Sequence, residues 1–222
     1  MNSAGLTASL TIYDPIFWTD TMTDPSRQAI LDACRTYYES RNQPKFEPGR
    51  SYIASSGKTM DADDLVNLVD ASLDMWLTAG RFTETFERRL ARKFGLRHAS
   101  LTVSGSAANL LAFSAFTSHK LGERWIAEGS EVLSVAAGFP TTIAPIVQNR
   151  CVPVFVDVDL ATGNVLADRL EDAVTDKTAA IMIAHTLGNP FDLKTVMEVA
   201  ERHNLYVIED CCDAFGARYE DK

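Results

Sequence analysis

The residues whose types and spacing suit chemistry lie in four short segments of the second half of the chain. The first runs from position 103 to 109 and places Gly105 and Ser106 just before an apolar helical pattern. Free backbone N–H groups at a helix N-terminus, with hydroxyls beside them, suit a phosphate. The segment lacks the lysine of GxxxxGK[ST] and does not fit GxGxxG, which disfavours a triphosphate loop and a dinucleotide fold. It predicts a phosphate site of another kind, with a plain structural turn as the alternative.

An aromatic residue and a histidine mark the second and third segments. Phe139 lies between Gly138 and Pro140, in a strand-to-helix turn that can present the ring face to a planar ligand. A phenylalanine in the core is an equally good interpretation. His185 ends an apolar run, where a neutral, hydrogen-bonded histidine is commoner than a catalytic one. No second histidine or carboxylate lies beside it at the spacing of metal ligands, so no metal site is predicted.

The fourth segment is acidic and ends a strongly apolar run. Glu209 and Asp210 follow the residues LYVI. A carboxylate held at the carboxyl end of a buried strand suits pairing with the protonated ring nitrogen of a ligand, which keeps that nitrogen positive. An exposed acidic loop is the alternative. Cys211 and Cys212 come next and are expected to be buried free thiols.

The elements that must position these segments alternate along the chain. Continuous apolar runs such as AAIMIA are typical of strands buried on both faces of a parallel sheet, and helical patterns of about ten residues separate them. The pattern predicts an α/β fold in which the four segments meet at the carboxyl edge of the sheet. Strands are predicted at 99–103, 131–136, 153–158, 179–184 and 205–210, and helices at 107–117, 140–148, 166–174 and 193–203.

The first part of the chain reads differently. Asp24 and Pro25 are a helix N-cap and first helical residue, and a helix is predicted over 26–40. Prolines and glycines predict a linker or arm over 42–58. A second helix is predicted over 61–77, with acidic residues in its first turn. A third is predicted over 83–94, with Gly95 as the residue that ends it.

Composition narrows the class of protein and its partners. The chain has 222 residues, 46% of them hydrophobic, and no apolar run approaches the ~20 residues that span a bilayer. That length is about one and a half ordinary domains. The net charge of −9 disfavours nucleic acid and anionic membrane surfaces as partners. The four cysteines are too few for a disulfide scaffold, and the N-terminus does not look like a signal peptide, so a cytoplasmic protein is expected.

Taken together and in this order, the four segments resemble the sugar-nucleotide aminotransferase family of vitamin-B6 enzymes. The resemblance runs from about Trp76 to Lys222 and includes WLTAGRF and PVFVDVDLATGNV. It implies the fold-type I, aspartate aminotransferase-like large domain, an α/β fold with a mainly parallel sheet. SGSAAN, AAGFPTT, HTLGNPFDL and EDCCDA are similar to one branch, the CDP-4-keto-6-deoxyglucose 3-dehydratases of dideoxysugar synthesis.

The resemblance assigns roles to five residues. It implies that Gly105 and Ser106 bind the cofactor phosphate, that Phe139 stacks on the pyridine ring, and that Asp210 pairs with the ring nitrogen. Asp213 stands near the ring hydroxyl, where most aminotransferase relatives have Gln or His. His185 matches a family histidine to which no catalytic role is assigned.

The resemblance also implies an activity and partners. The activity is pyridoxamine-phosphate-dependent C3 dehydration of a nucleotide-linked, CDP-type 4-keto-6-deoxyglucose in lipopolysaccharide O-antigen synthesis. The implied partners are a second copy of the chain, in a homodimer, and an NADH-dependent flavin/iron-sulfur reductase. In that branch a histidine replaces the Schiff-base lysine, and cysteines hold a [2Fe–2S] cluster. Both groups follow EDCCDA in the family, so no catalytic residue is assigned in this chain and none of its cysteines matches the cluster.

The expected organisation is therefore an incomplete enzyme. We expect an N-terminal helix and arm over residues 1–60 and a partial cofactor-binding large domain over 61–222, cut before the rest of the sheet and the C-terminal domain. Such a chain alone is expected to be inactive. The alternatives are a sugar-nucleotide aminotransferase that uses pyridoxal phosphate, and a non-catalytic truncated homologue that binds a partner or only the cofactor.

Overall fold

The structure is a computed structural model that describes residues 24–41, 46–54, 57 and 59–220, so the predicted arm at 42–58 lies partly outside it. The chain divides into two compact units, 1–99 and 100–222, and each is described by itself. The predicted domain boundary at residue 60 concerns the functional domains of an enzyme and stays a prediction. Within the described residues, none of the helices has the length and apolar character that crossing a bilayer requires.

The first unit is helical in its described part. It contains α1 (Pro25–Ser40), α2 (Ala62–Leu73) and α3 (Arg81–Lys93). The side chain of Asp24 caps α1 and Pro25 is its first residue, as predicted. Gly95 follows α3 with φ +63°, the left-handed conformation expected of a helix-ending glycine. The second predicted helix ends at Leu73 instead of residue 77, because Met75 adopts φ +52° and interrupts the helical backbone.

Two arginines and two aspartates tie these three helices together. The guanidinium of Arg27 in α1 forms ion pairs with the carboxylates of Asp70 and Asp74, at the C-terminal end of α2, with N–O distances of 2.6 and 2.5 Å. Arg81 of α3 reaches the same two carboxylates at 2.6 and 2.9 Å. Burial raises the pKa of Asp70, but the hydrogen bonds from Arg81 and Arg27 outweigh it and lower that pKa below its ordinary value. The guanidinium of Arg81 is thus engaged by carboxylates within its own unit.

The second unit is built on a parallel sheet. Among the described residues it has four strands in the order β2-β1-β3-β4, and all of the neighbouring pairs are parallel. This arrangement confirms the predicted α/β fold with a mainly parallel sheet, and it brings the carboxyl ends of the strands to one edge. The strands are β1 (Glu131–Val135), β2 (Val152–Val156), β3 (Thr178–Ala184) and β4 (Tyr206–Asp210).

Helices of this unit cover both faces of the sheet. One apolar cluster joins Leu133 and Ile181 to Val196 of a helix after β3. The other joins Val132 and Met182, the next residues along the same strands, to helices that precede and follow β1. Side chains alternate between the faces of a strand, so one stretch of strand contributes to both clusters. The helices are α4 (Gly105–Phe116), α5 (Pro140–Gln148), α6 (Leu170–Ala173) and α7 (Leu193–Arg202), with 3₁₀ turns at His119–Arg124, Ala167–Arg169 and Thr186–Gly188.

Three local predictions are wrong. Residues 99–103 form no strand, because they have no hydrogen-bonded strand neighbour among the described residues, and Val103 is 96% exposed. The helix predicted at 166–174 is a 3₁₀ turn followed by the single-turn α6, whose end at Val174 returns to extended backbone. Cys211 and Cys212 are exposed, since they lie in the loop after β4 and not within it.

Candidate functional site

A pocket opens at the carboxyl edge of the sheet in the second unit. It lies between the start of α4, the turn before α5, and the loops that follow β3 and β4. All five residues that the family resemblance singled out line it. The lining residues are Gly105, Ser106, Asn109, Gly138, Phe139, Thr141, Ala184, His185, Thr186, Asp210, Cys212 and Asp213.

The N-terminus of α4 offers free backbone amides to this pocket. Ser104 is the N-cap, and its side chain accepts a hydrogen bond from the Ala107 amide at 3.2 Å. The amides of Gly105 and Ser106, the first two residues of the helix, have no acceptor within the helix. The first turn carries no acidic residue that would neutralise the positive end of the helix dipole. The local geometry therefore suits an anion such as a phosphate.

Asp210 places a nearly buried carboxylate in the same pocket. It ends β4 and is 8% exposed. Its Oδ2 accepts hydrogen bonds from Nδ2 of Asn109 at 2.7 Å and from the hydroxyl of Thr142 at 2.8 Å. Its Oδ1 accepts one from the backbone amide of Cys212 at 3.1 Å. Three donors hold this carboxylate in one orientation, in which it can pair with a positive ligand atom.

The remaining walls are aromatic and acidic. Phe139 is 69% exposed and lines the pocket, so the ring is not a core side chain. Asp213, in the loop after β4, also lines the pocket and is exposed. The Asp213 backbone lies so close to Gly188 that a Cβ built on this glycine would be 2.9 Å from the Asp213 carbonyl oxygen. Gly188 also has φ +84°, so only glycine fits this contact without strain.

His185 contributes a buried ring to the wall of the pocket. Its ring is buried, stacks on Phe191 with centroids 4.1 Å apart, and places Nε2 3.0 Å from the Glu209 carboxylate. Hydrogen bonds to Cys211 and Glu209 raise the pKa of His185 to about 9, against the opposing effect of burial. The Phe191 amide, which donates to Nδ1 at 3.3 Å, acts in the opposite direction because only a ring without a proton on Nδ1 accepts that bond.

The same histidine belongs to a group that resembles a metal site. In the described part of the chain, ligand atoms of His185, Glu209 and Cys211 lie within 4.8 Å of one another, which the sequence spacing did not indicate. Because Nδ1 accepts from the Phe191 amide, the neutral ring carries its proton on Nε2, which faces Glu209. Coordination through Nε2 would move the ring proton to Nδ1, where the Phe191 N–H already points. The hydrogen-bond pattern fits a structural pair better than a metal ligand set.

The two side chains that donate to Asp210 were not singled out from the sequence. Asn109 lies in SGSAAN four residues after Gly105, and this spacing puts both on one face of a helix, so the signal was present. Thr142 lies in AAGFPTT beside Thr141, and nothing in the local sequence tells which of the two hydroxyls reaches Asp210.

Comparison with known proteins gives the family. Residues 58–222 match the DegT/DnrJ/EryC1/StrS aminotransferase family. The chain is 52% identical over 195 residues to the lipopolysaccharide biosynthesis protein RfbH of Salmonella typhimurium, covering 87% of this chain and 45% of that protein. It is 49% identical over 201 residues to a dTDP-4-dehydro-2,6-dideoxy-D-glucose 3-dehydratase of Saccharopolyspora spinosa, covering 90% and 44%. The chain thus spans a little under half the length of these relatives.

Solved structures agree with the sequence comparison. A GDP-4-keto-6-deoxymannose-3-dehydratase with a trapped PLP-glutamate geminal diamine superposes with a TM-score of 0.71 at 30% identity, over 77% of this chain and 44% of that one. The E. coli GDP-4-keto-6-deoxy-D-mannose-3-dehydratase with bound hydrated PLP gives 0.69 at 31% identity, over 78% and 43%. The fold of the second unit is that of fold-type I, aminotransferase-like enzymes, as the sequence predicted. The chain belongs to the DegT/DnrJ/EryC1/StrS aminotransferase family.

Proposed function

We propose that the pocket holds the phosphate and pyridine ring of pyridoxamine or pyridoxal phosphate in a nucleotide-sugar 3-dehydratase. One observation carries the proposal: the carboxylate of Asp210, held by three donors, opens into the same pocket as the free amides of Gly105 and Ser106. An anion site and a carboxylate for a positive nitrogen are what the two ends of this cofactor require. The residues present therefore fit the group.

Each of the five pocket residues has a distinct part in the proposal. The amides of Gly105 and Ser106 bind the phosphate, and the exposed ring of Phe139 stacks on the pyridine. Asp210 holds a proton on the ring nitrogen, and Asp213 lies toward the ring hydroxyl. When bound, the cofactor supplies an electron sink for bond breaking next to the carbon that it holds. The work of these residues is to bind and orient it and to keep its nitrogen positive.

The proposed reaction is loss of the 3-hydroxyl from a nucleotide-linked 4-keto-6-deoxy sugar. Relatives named as 3-dehydratases support it, at 49% identity for the dTDP-sugar enzyme and 35% for a GDP-sugar enzyme of Yersinia pseudotuberculosis. Because these relatives use different nucleotides, the CDP-4-keto-6-deoxyglucose substrate rests on the four-segment resemblance. The role in lipopolysaccharide synthesis is supported by the Salmonella relative named as a lipopolysaccharide biosynthesis protein, and the O-antigen rests on the four-segment resemblance.

The whole enzyme needs more than the described residues provide. We propose no catalytic base among them, and the family position for it, histidine in the dehydratase branch and lysine in aminotransferases, follows EDCCDA. The [2Fe–2S] cluster, the NADH-dependent reductase, the homodimer and the cytoplasmic location stay proposals from the resemblance. So does the division into an arm over 1–60 and a partial cofactor domain over 61–222.

A sugar-nucleotide aminotransferase is the second candidate. The observation that favours it is 34% identity over 148 residues to the GDP-perosamine synthase of Escherichia coli O157:H7. The two activities share the cofactor pocket and differ in their product. Supplied with a 4-keto-6-deoxy sugar nucleotide, a dehydratase eliminates the 3-hydroxyl, whereas an aminotransferase given glutamate yields a 4-amino sugar.

The cofactor proposal is tested by titrating pyridoxamine phosphate into the chain and following its fluorescence. We expect weak but saturable binding that Asp210→Asn weakens at least about tenfold, because the isosteric amide cannot supply the negative charge. Asp192→Asn is the matched control, since Asp192 caps α7 outside the pocket. Absence of saturable binding at millimolar cofactor, or equal affinity of the two variants, would contradict the proposal.

The substrate, the type of reaction and the homodimer are tested by separate measurements. Incubation with CDP-, dTDP- and GDP-linked 4-keto-6-deoxy sugars and mass analysis of the sugar identifies dehydration, amination or neither. We expect neither from this chain alone, because we propose no catalytic base among the described residues, and turnover would overturn that proposal. Sedimentation tests the homodimer, which a stable monomer at all concentrations would contradict.

A further inference from the structure

We propose that Asn109 and Thr142 are positioning residues that bind Oδ2 of Asp210 and leave Oδ1 as the oxygen offered to the ring nitrogen of the cofactor. The inference rests on the proposed function and adds to it two residues and the choice of carboxylate oxygen. It follows from the hydrogen bonds around one carboxylate and from the elements that supply them.

The donors can be assigned without ambiguity. Nδ2 of Asn109 lies 2.7 Å from Oδ2 of Asp210 and 3.3 Å from the carbonyl oxygen of Thr141. Both neighbours accept hydrogen bonds, so the nitrogen and not the oxygen of the amide must face them. Thr142 is only 2% exposed, and its hydroxyl donates to the same Oδ2 at 2.8 Å.

Counting acceptor sites then selects the free oxygen. A carboxylate offers about four lone-pair sites, two on each oxygen. Asn109 and Thr142 occupy the two on Oδ2, and the Cys212 amide occupies one on Oδ1. The remaining site is on Oδ1. Rotation of the carboxylate would break all three bonds, so its orientation is set before any ligand arrives.

The two donors also link the halves of the pocket. Asn109 belongs to α4, and Gly105, at the phosphate end of the pocket, begins this helix one turn earlier. Thr142 belongs to α5, whose N-cap is Phe139. The helices that present the phosphate amides and the aromatic ring therefore each send one donor to the same oxygen of Asp210. Such an arrangement holds the ring-nitrogen acceptor in register with the other two contacts.

The test compares Asn109→Leu, Thr142→Val and the double variant with the unchanged 222-residue chain. These substitutions keep the side-chain size and remove the donors. Pyridoxamine phosphate labelled with ¹⁵N in the ring is bound to each protein, and its ring-nitrogen chemical shift is followed against pH. We expect the pH at which the bound nitrogen loses its proton to fall by about one unit or more in the double variant, since a loosely held carboxylate stabilises the cation less.

Two further variants separate positioning from stability. Thr142→Ser keeps a hydroxyl and should restore most of the shift lost in Thr142→Val. Ser134→Ala removes another fully buried hydroxyl, which donates to the Met182 carbonyl oxygen at 2.6 Å in the sheet. It should lower stability but leave the nitrogen titration unchanged. If it moved the titration as far as Thr142→Val, the effect would be general loosening and the inference would be overturned.

A readout without cofactor distinguishes this inference from the proposed function. In the free protein the Cys212 amide is held by Oδ1, so the double variant should speed its hydrogen exchange about tenfold or more relative to Ser134→Ala. Unchanged exchange overturns the positioning role. A chain that binds no cofactor overturns the proposed function and the ring-nitrogen role with it. Cofactor binding with an unchanged nitrogen titration in the double variant overturns the inference alone.

Discussion

Replacing Gly188 with alanine tests how tightly the pocket wall is built. Gly188 has φ +84°, and a side chain in that left-handed region costs about 1–2 kcal/mol. The new methyl carbon would also lie 2.9 Å from the backbone oxygen of Asp213. The neighbour is backbone and not the end of a flexible side chain, so relief of the overlap must move the loop after β4. Overpacking of this kind costs a further ~1–3 kcal/mol.

The two contributions can be measured separately. Gly129→Ala is the matched control, because Gly129 has φ +82° but a Cβ added to it would meet no atom within 4 Å. We expect Gly188→Ala to lower the free energy of unfolding by about 2–5 kcal/mol and Gly129→Ala by about 1–2 kcal/mol, both from urea denaturation. Gly188→Ala should in addition weaken pyridoxamine phosphate binding. Equal destabilisation of the two variants would refute the close contact with Asp213.

Three other predictions concern charge and burial. Arg27→Met should lower the free energy of unfolding by about 2–4 kcal/mol, because it leaves the nearly buried carboxylates of Asp70 and Asp74 short of a partner. Arg35→Met, which breaks an exposed pair with Asp63, should lower it by under about 1 kcal/mol. Similar losses for the two variants in urea denaturation would contradict this prediction. The raised pKa of His185, about 9 against an ordinary 6.5, means that its contribution to stability is full below pH 6.5 and is lost as pH rises through 9. An NMR titration of this ring with a midpoint below 6.5 would show that the Phe191 amide governs it instead. Burial raises the pKa of the Cys151 thiol, so mass spectrometry should find it alkylated at least about tenfold more slowly than the exposed thiols of Cys211 and Cys212. Equal alkylation rates would argue against the burial of Cys151.

Much of the site was predictable because it depends on strand ends. The apolar runs that became β1, β3 and β4 were recognisable from composition, and parallel strands bring their carboxyl ends to one edge. Phe139 follows β1 and Asp210 ends β4, whereas Gly105 follows a predicted strand that does not form and reaches the pocket as the first residue of α4. Their roles came from the order of four segments, since each segment alone fitted a structural interpretation equally well.

What the sequence missed depends on contacts between distant segments. Residues 99–103 are as apolar as a strand, yet a strand also needs a neighbour, and the described chain provides none for it. The cluster of His185, Glu209 and Cys211 joins residues from the ends of β3 and β4, and no local spacing in the sequence predicts it. Gly188 has an ordinary place in a turn motif, and its need to be glycine arises from the backbone of Asp213.

The sequence by itself determined the class of fold, the helix caps and the residue types available for a phosphate and a charged ring. These follow from periodicity and from the chemistry of single residues, which act over a few positions along the chain. Only the tertiary structure decided that Asn109 and Thr142 share one oxygen of Asp210 and that the other oxygen keeps a free acceptor site. The direction of a carboxylate is set by donors 101 and 68 residues away along the chain, and packing alone brings them within 3 Å.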